Sequence, residues 1–126
     1  MKRLWLGVGL LLVLLAAGIT VTLVMDNLHT PISQKMAQAA DAARADDFEK
    51  ANMLIEQAKN DWDRCRNFSA AVADHEPMEQ IDGLFAAAQL YGALHDNEDC
   101  AATCARVAAL THAMGDSHGF SWWNLL

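Results

Sequence analysis

Proline is scarce in this chain, and positive charge scarcer than negative. Two prolines occur among 126 residues, Pro31 and Pro77. That is too few to break up long helices, and both fit the first position of a helix, where the missing N–H costs nothing. Beyond residue 25, seven basic residues stand against 16 acidic ones, a formal charge of −9, and from Asp74 onward Arg106 alone faces eight carboxylates. That half is thereby excluded from gripping nucleic acid or anionic lipid headgroups. Strand-like alternation is absent, so no glycine-rich loop follows a strand, and no serine or cysteine has a base at a recognisable spacing. The expectation is a non-enzyme with no cofactor.

Cysteine is present in an odd number, Cys65, Cys100 and Cys104, so in an exported chain one thiol must stay free or pair between molecules. Cys100 and Cys104 are four apart in a helical pattern and share a face. Their Cα atoms would lie about 6 Å apart, but parallel Cβ directions make a bridge there uncommon. The paired C-x-x-C spacing of structural zinc sites is also missing. Burial as small apolar residues is the best account of all three.

What the chain does have is an uncharged run from Leu4 to Val24, LWLGVGLLLVLLAAGITVTLV, directly after Met1, Lys2 and Arg3. At ~1.5 Å per residue it is about 31 Å long, close to the ~30 Å hydrocarbon core of a bilayer. A cleaved secretory signal is the rival reading, with Ala16, Ala17 and Gly18 as its small-residue site. The run continues apolar through Ile19 to Met25, beyond the ~7–15 residues of a signal core. An uncleaved span is therefore expected, with Lys2 and Arg3 holding the N-terminus in the cytoplasm. Residues 1–25 read as a transmembrane anchor and residues 26–126 as one extracytoplasmic helical domain, enough chain for a single core.

After the anchor the apolar residues recur at helical spacing. Thr30 caps a helix expected over about Pro31 to Arg44, with Ile32, Met36, Ala39 and Ala43 inward. Asp46 and Asp47 form a tight turn. Phe48, Ala51, Ile55, Ala58, Trp62 and Cys65 then repeat at 3-4-3-4-3 spacing as a packing seam, in a helix that continues through Phe68 and Val72 and stops near Asp74. A third helix from Pro77 carries Ile81, Leu84, Ala88, Tyr91 and Leu94 on one side. A fourth, after His95 and Asp96, buries Cys100, Cys104, Val107, Leu110 and Met114 and stops at Gly115. Short connections make the four antiparallel neighbours. The stretch from Asp46 to Ala51 recurs, loosely, from His95 to Cys100, 49 residues on, which suggests two related hairpins. The fold class is thus all-α: a transmembrane helix followed by two antiparallel hairpins in a small four-helix bundle, weakly tetratricopeptide-like through ADDFEKANMLIEQA.

The MKRLW start with its single anchor, the D-F-E-K-A hairpin leading to Trp62, the stretch from Asp74-His75-Glu76 to Ile81-Asp82 and the closing Asn124-Leu125-Leu126 carry a resemblance over most of the chain. They resemble a family of small, uncharacterised single-pass membrane proteins of Gram-positive bacteria. The resemblance implies a helical exported domain and brings no assigned activity, cofactor or catalytic residue.

Two groups have the residue types of a metal site. His75, Glu79 and Asp82 lie at i, i+4 and i+7, and His112 and His118 flank Gly115. An acidic first helical turn accounts for the former and solvent exposure or helix capping for the latter, so no metal ligand is assigned. The tail is unusual for a terminus: Trp122, Trp123, Leu125 and Leu126 fall in the last five residues, where chains are ordinarily polar. They are the candidate interaction residues, whether they close the core, lie at the membrane interface or fill a partner's groove. The expected function is a membrane-anchored extracytoplasmic binding or scaffold module. The second reading is a regulatory or structural subunit of a larger membrane assembly. The expected partners are the membrane, through the N-terminal helix, and a protein of unknown identity, with no nucleic acid.

Overall fold

The computed structural model describes residues 1–72 and 75–120, with the side chains of residues 25, 69–72, 75 and 116–120 left aside. Four helices account for these residues: α1 (Lys2–Arg44), α2 (Phe48–Val72), α3 (His75–Ala93) and α4 (Asn97–Phe120). Each helix packs on its neighbours around a ring, α1 on α2, α2 on α3, α3 on α4 and α4 back on α1.

The expected helix start at Thr30–Pro31 does not exist. α1 is continuous for 43 residues with Pro31 inside it, so the apolar run and the first bundle helix are one element. An interior proline deprives the carbonyl four residues back, that of Asn27, of its helical donor, a cost of about 3 kcal/mol. Burial on both sides of it offsets that cost: His29 and Ile32 are fully enclosed. Upstream, the side chains from Leu4 to Leu15 are all exposed apart from contacts within the helix, whereas the bundle core begins at Leu28. Among the described residues α1 alone is long and apolar enough to cross a membrane.

The packing seams expected for the first hairpin are the buried ones. Ile32, Met36, Ala39 and Ala43 of α1 meet Phe48, Ala51, Ile55, Ala58, Trp62 and Cys65 of α2 in one core. On α3 the phase differs by one residue from the expected stripe. Ile81 and Ala88 are buried, but Phe85 is their companion, while Leu84 and Tyr91 are only half-buried and Leu94 is 66% exposed. On α4, Leu110 is likewise half-buried, and Thr111 is enclosed in its stead. Its hydroxyl donates within the helix to the carbonyls of Val107 (2.8 Å) and Ala108 (3.1 Å), which removes the cost of burying it.

The helix expected to stop at Gly115 runs on to Phe120. A Cβ at Gly115 would meet Asp26 Oδ1 at 3.2 Å and His29 Cβ at 3.9 Å. The glycine therefore serves the close approach of α4 to α1 and not a left-handed stop. α3 begins at His75, two residues before Pro77, which still lies in the first turn where no N–H partner is needed.

The 49-residue echo is a structural repeat. In the first turn the N–H groups of Ala45, Asp46 and Asp47 reach the carbonyls of Asp41, Ala43 and Ala42; in the second, those of Leu94, His95 and Asp96 reach Leu90, Gly92 and Tyr91. Asp46 and His95 both take left-handed backbone, at φ 58° and 55°, and Asp47 and Asp96 each accept from the N–H three residues on at 3.2 Å. Burial follows the same offset: Ile32 and Ile81, Met36 and Phe85, Ala39 and Ala88, Ala51 and Cys100, Ile55 and Cys104, and Trp62 and Thr111 are all enclosed.

Candidate functional site

The two ends of the bundle differ in chemistry. At the far end the two turns abut. The Phe48 and His95 rings stack at 4.6 Å and 4°, and Asn97 Nδ2 donates to Asp46 Oδ1 at 3.0 Å. Under the 49-residue offset these two contacts are one contact with the partners exchanged, the signature of a two-fold relation between hairpins. Asp41, Asp46, Asp47, Glu49, Asp96, Glu98 and Asp99 outnumber Arg44 and Lys50 here, and Arg44 is paired to Asp41, so this end is acidic.

Nearer the apolar extension, polar groups sit on and within the core. Trp62, wholly buried, lies 6.2 Å from the His29 ring and 6.5 Å from Phe85, and its indole N–H donates to Asp82 Oδ1 at 2.7 Å. Asp82 Oδ2 accepts from Arg66 Nε at 2.9 Å. Ser33 Oγ of α1 donates to the Ala108 carbonyl of α4 at 2.9 Å. Between α1 and α2 an open groove of about 240 Å³ is lined by Asn27, Leu28, Pro31, Asp61 and Arg64. Asp61 is ion-paired to Lys35, and Lys59 to Asp63.

The three cysteines are buried thiols. Burial raises the Cys100 pKa, the hydrogen bond with Cys104 works against that rise, and the Asp96 charge adds to it. Cys104 is pushed up to about 12, first by burial, then by the Cys100 charge and their shared hydrogen bond. Both are therefore neutral and unreactive at physiological pH.

The histidine and carboxylate group at the start of α3 does not converge on one point. Asp82 is turned to Trp62 and Arg66, Glu79 is exposed, and the His75 side chain lies outside the described residues. Among the described residues no group of three or more histidine, cysteine, aspartate or glutamate side chains is placed to hold a metal ion. His112 is exposed; the His118 side chain, and Trp122, Trp123, Leu125 and Leu126, lie outside the described residues. The groove and the Trp62–Asp82–Arg66 chain were missed in the sequence, where Trp62 read only as a core residue.

Fold and site together define a four-helix bundle continuous with an apolar helical extension. The chain belongs to the DUF4363 family, described as a domain of unknown function, which matches residues 20–125. The matched region begins within the apolar run, so it takes in the last turns of that run along with the bundle. No curated protein and no solved structure matches the chain.

Proposed function

We propose that the protein is a membrane-anchored, extracytoplasmic binding or scaffold module without catalytic activity. Residues 1–25 are its anchor, with the N-terminus in the cytoplasm, and residues 26–126 form the exported domain, as the resemblance to a Gram-positive family implies. The observation that carries this reading is the unbroken course of α1 from Lys2 to Arg44. The bundle stands on the span without a linker and holds its acidic turns about 28 Å from residue 27, at ~1.5 Å per residue. A rigid post suits presentation of a surface better than capture of a diffusing substrate. The tail is the candidate contact: α4 runs back toward the anchor end as the last of four helices packed in a ring, and in this reading the residues that follow it, Trp122, Trp123, Leu125 and Leu126, meet the membrane interface or a neighbouring membrane protein.

Two measurements test this. Protease added to spheroplasts should digest the bundle while sparing the N-terminus; a protected C-terminus, or a mature N-terminus near Ile19, overturns the anchor and its orientation. Crosslinking in native membranes should yield a discrete partner that is lost when Trp122 to Leu126 are deleted. A partner retained by the deleted chain removes the tail from the proposal.

A further inference from the structure

We propose that the groove between α1 and α2 binds the headgroup of an anionic phospholipid, with Arg64 on the phosphate. The inference rests on the membrane-anchored reading above and adds a ligand to it. Its first support is position. Asn27 and Pro31 stand three and seven residues beyond Val24, so the groove spans about 4.5 to 10 Å past the end of the apolar run. The headgroup layer extends about 5–8 Å beyond the hydrocarbon on each side of a bilayer.

The second support is charge. Around the groove Lys35 pairs with Asp61, Lys59 with Asp63 and Arg66 with Asp82. Arg64 has neither an ion pair nor a hydrogen bond among the described residues, and it is exposed. The groove thus carries one uncompensated guanidinium, whose planar fork fits phosphate oxygens. The acidic turns lie about 22–28 Å away, beyond the ~8 Å over which charge is felt at physiological ionic strength. Glu76 and Glu79 stand on α3, across α2 from the groove, and Asp26 is turned to Gly115 of α4.

The third support is the character of the groove and of the helix beside it. Phe68, one helical turn beyond Arg64 and about 6 Å nearer the apolar end, is 41% exposed. A large ring there meets the start of the acyl chains while Arg64 meets the phosphate, the usual division between aromatic and cationic residues at a membrane interface. Leu28 and Pro31 give the groove itself an apolar lining beside Asn27, Asp61 and Arg64.

The test uses the full chain in nanodiscs of phosphatidylcholine mixed with phosphatidylglycerol, followed by gentle release and a count of retained lipids by native mass spectrometry. The wild-type chain should retain phosphatidylglycerol in preference to phosphatidylcholine. Arg64→Ala should retain about fivefold less, and Lys50→Ala, at the far turns, should match wild type. Because Arg64 is exposed and unpaired, the variant's circular dichroism should be unchanged. Equal retention by Arg64→Ala in a chain that has entered the disc overturns the lipid site and leaves the anchor standing. A chain that does not enter the disc overturns both. Displacement of the lipid by added inorganic phosphate overturns the lipid as occupant.

Discussion

The indole N–H of Trp62 and Oδ1 of Asp82 are 2.7 Å apart, and through this bond the buried centre of α2 is tied to the first half of α3. Asp82 uses its other oxygen for Arg66, so one half-buried carboxylate is held from two sides by the same helix. Among the described residues Trp62 is at once the largest enclosed side chain and a directed donor, which fixes the rotation of α2 against α3 in a way that apolar packing alone does not.

Trp62→Ala should therefore cost about 3–5 kcal/mol. Asp82→Ala, which leaves the indole donor without its partner, should cost about 1–3 kcal/mol. Trp62→Phe keeps the ring and loses the bond. Combined with Asp82→Ala it should cost less than the sum of the two single changes by about 1 kcal/mol. Urea titration of the detergent-solubilised chain measures all four, and strict additivity would show that the bond contributes nothing.

Gly92 lies where α3 meets Asn52 of α2. A Cβ there would fall 2.0 Å from Asn52 Oδ1, and Asn52 Nδ2 donates to the Gly92 carbonyl at 3.3 Å. Gly92→Ala alone should destabilise by about 1–2 kcal/mol through overpacking and the lost bond. In an Asn52→Ala background the same change should instead stabilise by about 0.5–1 kcal/mol, since alanine is the better helix former. A destabilising effect in both backgrounds would place the obstacle elsewhere.

Asp47 and Asp96 occupy equivalent caps. Each change to alanine should cost about 0.5–2 kcal/mol, and the two costs should agree to within about 0.5 kcal/mol because the sites share one geometry. Melting temperatures of the single variants check this. A cost confined to Asp47→Ala would mean that the second turn is held by other contacts.

The raised thiol pKa values make the fold sensitive to alkali. A group that holds its proton more tightly when folded contributes stability that is complete below its unfolded value, here the ordinary 9.0, and lost as pH rises toward its folded value, for Cys104 about 12. The unfolding free energy from urea titration should hold steady up to about pH 8 and then fall, by at most ~1.4 kcal/mol per pH unit for this thiol. Cys104→Ala should flatten that fall while lowering stability at neutral pH. An unchanged alkaline slope in the variant would assign the effect to another group.

The seams of α1 and α2 were legible in the sequence because their apolar residues keep strict spacing between charged neighbours. α3 was misread because GLFAAAQLYGAL carries no charge to mark its wet side, so Leu84 and Leu94 look as suitable as Phe85. The repeat itself held the correction: the 49-residue offset carries Met36 to Phe85 and Ala39 to Ala88. Pro31 and Gly115 misled for a different reason. Each has a familiar meaning at a helix end, and here tertiary contacts with His29, Ile32 and Asp26 override it. The groove was invisible because it joins residues thirty or more positions apart whose individual types are unremarkable.

The exchanged contacts between Phe48 and His95 and between Asn97 and Asp46 place a pseudo-two-fold axis along the length of the bundle, with α1 and α3 diagonally opposed. Only α1 continues into the apolar run. With neighbouring helices 8–10 Å apart, a corner helix lies about 6–7 Å from the axis of a four-membered ring. The mass of the bundle is therefore eccentric to its stem and overhangs on the α3 side, so turning the stem about its own length sweeps that side through an arc.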